Sequence, residues 1–257
     1  MQNRKRIAAM ATHPPRYRGM MQVIDDILPQ VDEFNLWLNE YEAVPPELIN
    51  IPKLNVHWPV PNLKSLAKLY WATMCNDYYL TVDDDILFPK DYVEQIIDGL
   101  ERYDCLAFVG YHAHIMHVQP DGTLPNGFYQ QYRTMFHYTA GSAYDMSVHV
   151  LGTGVMACVP ARIGLSFKNI IPDLDINLDT DLPRCGDDEL VALYAQQHNI
   201  PMIKLKSEKN WMGYDLRLCN VQPLHKCNIY QQETEKAMRE WGKWRIVRYR
   251  QTDDPPV

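Results

Sequence analysis

The sequence predicts an α/β protein with a mainly parallel sheet flanked by helices, and three observations predict it. Short apolar runs alternate with segments of helical spacing through residues 1–110. These runs are rich in small, β-branched and aromatic residues and stop at polar or proline-containing breaks, as buried strands do. One of them, Tyr78-Tyr79-Leu80-Thr81-Val82, ends at three consecutive carboxylates, Asp83-Asp84-Asp85. Burying unpaired charges costs several kcal/mol or more per ion, so these acids belong at the strand's mouth. In open α/β sheets that is where ligands bind, and adjacent carboxylates there suit a hard divalent cation that also meets phosphate oxygens.

Taken in order, Arg6 to Ala11 reads as a first strand, broken by Thr12-His13-Pro14-Pro15-Arg16. Met20, Met21, Ile24 and Leu28 give 17–28 helical spacing, and Phe34 to Leu38 is a second strand ending at Asn39. Leu63, Leu66, Leu69 and Tyr70 predict a helix over 63–74 that feeds the Tyr78 strand, with Lys64 and Lys68 on a neighbouring stripe. Residues 92–100 predict another helix and 105–109 a buried strand. From His112 to Tyr144 the alternation changes around Gln119-Pro120-Asp121-Gly122, which predicts a β-hairpin insertion. Gly152-Thr153-Gly154 precedes a strand over 155–159; 166–184 reads as a long loop, 187–197 as a helix and 201–205 as a strand.

Composition narrows the function classes. An apolar fraction of 46% is that of a globular protein, and a net charge of -7 with pI ≈ 5.7 argues against a nucleic-acid partner. No run approaches the roughly 18 apolar residues of a membrane-spanning helix, and Met1 to Arg6 lead into the first strand without a cleavage pattern, so the expected location is cytoplasmic. The 6 cysteines are scattered without a C-x-x-C pair, which predicts free thiols.

Two acidic clusters carry the chemistry. Asp83-Asp84-Asp85 alone is also what a solvated strand-end loop contains. Cys185-Gly186-Asp187-Asp188-Glu189 opens a helix, where the macrodipole and capping favour acids without any catalytic role. Capping needs one of them, leaving another free to act as a general base.

With Ala11 to Arg16 after the first strand, Asn39 after the second, Lys68 before the acidic strand, Asp83-Asp84-Asp85, Gly152-Thr153-Gly154 and Gly186-Asp187-Asp188 in this order, the chain resembles the GT-A nucleotide-sugar glycosyltransferases. It is most similar to the inverting bacterial enzymes of glycosyltransferase family 2 and their relatives, over roughly residues 5–205. The resemblance implies one GT-A domain over 1–257, with a nucleotide-binding half to about 110, an acceptor and catalytic half over 111–205, and a C-terminal lid and basic tail over 206–257. It implies that Asp85 and Asp83 hold Mn²⁺ or Mg²⁺ on the diphosphate, with Asp84 sharing that role and Asp83 alternatively meeting the ribose. Thr12, Pro14, Arg16, Asn39 and Lys68 would border the nucleotide, Lys68 being alternatively an exposed helix lysine, and Gly152, Thr153 and Gly154 would line the substrate site. Asp188 would be the base that deprotonates the acceptor, although Asp187 stands where the family carries Glu and competes for that role. His225 would complete the metal site, or be an ordinary surface histidine.

Trp211 would stack on a sugar from a closing loop, or anchor the core. Residues 236–250, basic with interleaved Trp241, Trp244 and Tyr249, would contact an anionic membrane face or pack their tryptophans inward. The expected reaction moves a sugar from a UDP-linked donor to a glycan or lipid-linked acceptor in bacterial lipopolysaccharide or capsule synthesis. A haloacid-dehalogenase-like phosphatase and a non-catalytic nucleotide-sugar or glycan-binding protein are the competing expectations. The phosphatase places its first acidic motif on the first strand, whereas two predicted strands precede Asp83.

Overall fold

The computed structural model describes residues 4–168, 170, 186–215 and 228–249. Strand β1 (Arg6–Thr12) leads through a 3-10 turn at Pro14–Arg16 into α1 (Tyr17–Ile27), β2 (Glu33–Leu38) and β3 (Leu54–His57). A 3-10 helix over Lys64–Leu69 then leads to β4 (Tyr78–Val82), β5 (Ile86–Leu87) and α2 (Tyr92–Glu101). Next come β6 (Phe108–Gly110), β7 (Ala113–Met116), α3 (Phe128–Gln131), β8 (Arg133–Phe136), β9 (Met146–Ser147), β10 (Val150–Leu151) and β11 (Val155–Cys158). Helix α4 (Asp187–His198), β12 (Met202–Lys204), β13 (Gly213–Tyr214) and α5 (Asn228–Glu240) follow.

The main sheet has eight strands in the order β3-β2-β1-β4-β11-β6-β12-β9. Strands β3, β2, β1 and β4 are parallel, β11 is antiparallel to both β4 and β6, and β12 runs parallel to β6 and antiparallel to β9. The chain therefore winds outward from β1 to β3, then returns to place β4 on the other side of β1. The carboxyl ends of β1 and β4 face a topological switch point, where such sheets bind ligands.

Strand alternation divides the core. Ala8, Met10, Leu80 and Val82 pack on the face covered by α1 and α2. Ala9, Tyr79 and Phe108 pack on the opposite face with Leu66, Leu69 and α4, which is buried nearly all round from Leu190 to Ala195. Continued past β4, this alternation sends Asp83 and Asp84 to opposite faces, which fixes everything that follows at the site.

The predicted hairpin exists as β7 paired with β8, with the turn at Gly122 and helix α3 between them, and β10 joins as a third strand. Two expectations change. The helix predicted over 63–74 is a 3-10 helix confined to Lys64–Leu69, and the strand predicted from Cys105 begins only at Phe108 because Asp104 and Cys105 take positive φ in a turn. Strands β3, β9 and β13 have no predicted counterpart. The loop expected over 166–184 lies mostly outside the described residues.

In the C-terminal region Trp244 is buried, donating its indole N–H to the Met238 carbonyl at 2.9 Å, and its backbone N–H reaches the Gly122 carbonyl at 2.7 Å. Of the two alternatives for the tail tryptophans, Trp244 takes the inward one and anchors the tail to the hairpin insertion. Trp241 and the basic side chains of Lys236, Arg239, Lys243, Arg245 and Arg248 remain exposed. Among the described residues no helix is long and apolar enough to cross a membrane, and Cys75, Cys105 and Cys158 are free thiols.

Candidate active site

The site forms where the carboxyl ends of β1 and β4, the β10–β11 turn and the amino end of α4 converge. Its centre is Lys68. This side chain is 2% exposed, and its ammonium bonds Asp83 and lies 2.8 Å from Asp187. Burial acts to lower the lysine pKa, but the carboxylates of Asp187, Asp83 and Asp188 outweigh it and raise the pKa, so the side chain is a fixed cation. The 3-10 helix delivers it here: Leu66 and Leu69 fill the core while Lys68 points along the sheet edge toward the acids.

Across from Lys68, Thr153 joins the two acids of the α4 start. Its backbone N–H and its hydroxyl both lie 2.7 Å from Asp188 Oδ1, and the hydroxyl also contacts Asp187. A threonine hydroxyl has one proton to donate, so it cannot satisfy two charged carboxylates at once. A proton held on Asp188 resolves this conflict, because Thr153 then accepts from Asp188 and donates to Asp187.

The electrostatics agree. Although burial acts against the Asp187 carboxylate, Lys68 and the hydrogen bond from Thr153 hold its pKa below the usual range. Asp188 is pushed up to about 7, first by burial and then by the charge of Asp187. Glu189, 5% exposed, is pushed up to about 8 by burial and by Asp188, and its Oε2 has no hydrogen-bond partner among the described residues. The two adjacent aspartates thus differ in kind: Asp187 is a neutralised counter-ion, and Asp188 is poised to exchange a proton near neutrality.

The Gly152-Thr153-Gly154 turn is buried and acts inward on these acids. A Cβ on Gly154 would stand 2.3 Å from Asp83 Oδ2, and one on Gly152 would stand 2.9 Å from the His112 ring. The glycines allow the turn to lie against Asp83 and His112, while Thr153, fully buried, supports the carboxylates. These residues, expected to line the substrate site, are themselves buried, with Thr153 turned toward Asp187 and Asp188.

On the other face, Asp84 is 7% exposed and accepts a 2.7 Å hydrogen bond from the Thr12 hydroxyl. Arg16 spans Asp84 Oδ1 at 3.0 Å and Asp85 Oδ2 at 2.9 Å. Burial pushes Asp84 up to about 7 against the pull of Arg16 and Thr12. Asp84, expected to share a metal or substrate, is turned by alternation toward α1, where Thr12 and Arg16 engage both of its oxygens. Asn39 is also buried, donating to the Lys64 carbonyl at 3.1 Å and so tying β2 to the Lys68 segment. Pro14 is exposed at the switch point, and Trp211 is held away from the Lys68 centre by a 3.2 Å bond to Asp91. His225 lies outside the described residues.

Among the described residues no group of three or more His, Cys, Asp or Glu side chains is arranged to hold a metal. A cation held by Asp83 and Asp85 would have to draw its other ligands from substrate and water. Lys68 meets Asp83 through Oδ1 and Arg16 meets Asp85 through Oδ2, leaving the second oxygen of each carboxylate for coordination. Sequence reasoning missed the buried Glu189 and the stacking of Arg133 on Tyr129, 3.9 Å from the ring centroid, which contributes positive charge toward Glu189. The signal for Glu189 was present as the third acid of an unbroken acidic run at a helix start.

No protein-family model matches the chain, and no curated protein matches it.

Proposed function

We propose that the chain is a metal-dependent GT-A glycosyltransferase that moves a sugar from a nucleotide diphosphate sugar, UDP-linked in the first instance, to a glycan or lipid-linked acceptor with inversion. The observation carrying this reading is the continuous bonded path from Asp83 through Lys68, Asp187 and Thr153 to Asp188, which joins the β4 mouth to the α4 start at the switch point. It brings a donor-side carboxylate and a titratable base to one locus, as the transfer requires.

In this reading Asp83 and Asp85 would hold Mn²⁺ or Mg²⁺ on the donor side of the site. Bound there, the ion supplies Lewis-acid stabilisation of the charge that develops on the departing phosphate. Asp188 takes the proton of the acceptor hydroxyl as that oxygen bonds the anomeric carbon; the carbon–oxygen bond to the phosphate breaks, and the nucleoside diphosphate leaves with the electron pair. Asp187 is too well compensated by Lys68 to serve as that base, so its role is to hold Lys68 and Thr153 in place. Thr12, Pro14 and Arg16 border the nucleotide side. The acceptor pathway belongs to surface-glycan synthesis, and the exposed basic residues of 236–249 favour an acceptor presented at an anionic surface.

Release of nucleoside diphosphate from a panel of nucleotide sugars, with and without Mn²⁺, tests the reading. Turnover of one donor, abolished by Asp85→Ala and by Asp188→Asn with donor binding spared in the latter, is the expected result. Release of inorganic phosphate from small phosphoesters, with every nucleotide sugar left intact, would overturn it.

A further inference from the structure

A groove of about 800 Å³ opens on the α2 face, lined in part by Asp91, Gln95, Tyr111, Ser142, Ser207 and Trp211. It lies at the carboxyl edge of the sheet: Tyr111 follows β6, Ser207 follows β12, and Asp91 precedes α2. The ribbon of β5 and β13 connects it to the acids, since Asp85 directly precedes β5 and Trp211-Met212 directly precede β13. Asp188, by contrast, belongs to the opposite face with Lys68.

The walls of the groove are built rather than incidental. Trp211 is fixed on three sides: its indole N–H donates to Asp91 at 3.2 Å, and its ring lies 5.0 Å from Tyr111 and 6.2 Å from Tyr92 between centroids. The facing wall is clamped by reciprocal backbone bonds between Ser142 and Ser207 at 2.8 and 3.0 Å, and by Asn210 N–H to the Thr139 carbonyl at 2.9 Å. Gly141, at φ +74, permits that approach, because a Cβ there would stand 2.7 Å from the Lys209 nitrogen. Ser207 Oγ is buried without a hydrogen-bond partner among the described residues. Native structures rarely leave such an atom unpaired unless a water or ligand completes it.

We infer that this groove binds a neutral oligosaccharide. Its chemistry is that of an amphipathic ligand: an ordered indole for the apolar C–H face of a sugar ring, with a carboxylate, an amide and hydroxyls placed to meet hydroxyl groups. Asp91 and Glu208 against Lys206 give the lining an acidic balance, which disfavours phosphate and nucleotide. The volume lies in the range of clefts that enclose a ligand larger than one small ring. The groove lies on the face away from Asp188, so its binding of an oligosaccharide stands independently of the proposed transfer.

The test applies the full chain to an array of neutral oligosaccharides of glucose, galactose, mannose and N-acetylglucosamine, with UDP affinity measured in parallel. Retention on at least one of these glycans is expected, reduced at least tenfold by Trp211→Ala and by Gln95→Trp. The second change fills the groove from an exposed helix position and leaves the core packing of Trp211 intact, so it should not alter UDP affinity. Retention that follows these variants in a chain that binds no UDP supports the groove while the transferase reading fails. Retention on none of the neutral glycans, or retention that neither variant reduces, overturns the inference.

Discussion

The two sides of the acidic triplet are built from the same residues and do different work. On the α1 face Asp84 meets Thr12 and Arg16, and Arg16 extends to Asp85, so two carboxylates share a guanidinium in a closed, hydrogen-bonded pocket. On the α4 face Asp83, Asp187 and Asp188 crowd around the single ammonium of Lys68. The first arrangement spends its charges on fixing the loop after β4. The second leaves a carboxyl undercompensated, and an undercompensated buried acid near a switch point is a group with chemistry available. A one-residue step along a strand is enough to separate the two roles.

Removing the ionisable group on each side should separate the two roles most strongly. Asp188→Asn should cut nucleoside diphosphate release by about 10²–10⁴-fold, the usual contribution of a positioned general base. Asp84→Asn should change it less than tenfold, with its effect appearing instead in stability. Single-turnover rates and donor affinity for the two variants separate these outcomes; equal losses of turnover would remove the distinction between the faces.

The next effect is on folding. Lys68→Met leaves Asp83 and Asp187 without their cation and should destabilise the chain by about 3–5 kcal/mol, the cost of breaking a buried pair by deleting one partner. Arg16→Met should cost less, about 1.5–3 kcal/mol for lost hydrogen bonds to charged groups. Urea unfolding monitored by tryptophan fluorescence checks the order. A double variant, Lys68→Met with Asp187→Leu, should recover part of the loss because it removes one of the two stranded carboxylates together with the ammonium.

The pH dependence sharpens the comparison further. With its pKa raised to about 7, Asp188 retains its proton in the folded chain after the unfolded chain has lost it near the ordinary carboxylate value. The folded state then binds more protons between roughly pH 4 and 7, so this group's contribution to stability falls as pH rises through that window. Asp188→Asn should flatten that part of the stability profile. In the active chain, turnover should rise with pH through about 7 as the base becomes free to accept a proton. Turnover that is flat across this range would assign the base elsewhere.

How much of this could be read beforehand follows from the range of each interaction. The helices at 17 and 92 were legible because their apolar residues repeat at helical period, and β1, β2 and β4 because they are short apolar runs between breaks; the helix at 187, buried nearly all round, was legible from its acidic start and the apolar run behind it. Strands β9 and β13 are two residues long and owe their existence to partners far away in sequence, so no local period announces them. The acids themselves were legible, as was Lys68 by its place before the acidic strand. The burial of Lys68 was not, because it depends on α4 arriving opposite β4. Nor was the inward role of Thr153: a Gly-Thr-Gly turn looks like a substrate loop until β10, β11 and α4 bury it. The charge asymmetry between Asp187 and Asp188 is tertiary in the same sense, set by which carboxylate Lys68 reaches.

The smallest expected effect probes the quiet side. Thr12→Val keeps the shape of the β1 end and removes the hydroxyl that donates to Asp84 Oδ2. Asp84 then loses one hydrogen bond but keeps Arg16, so the cost should fall at about 1–2 kcal/mol, near the lower end for bonds to charged groups. Thr12 also supports the ionised form of Asp84, and its loss should raise that carboxyl above its present value of about 7. Carbon-13 NMR of the labelled aspartate carboxyls measures the shift directly, and the same spectra report Asp188. Movement of the Asp84 resonance with Asp188 unchanged is what two electrostatically separate faces require. If both titrations move together, the acids form one coupled unit across the sheet, and the division drawn from strand alternation fails.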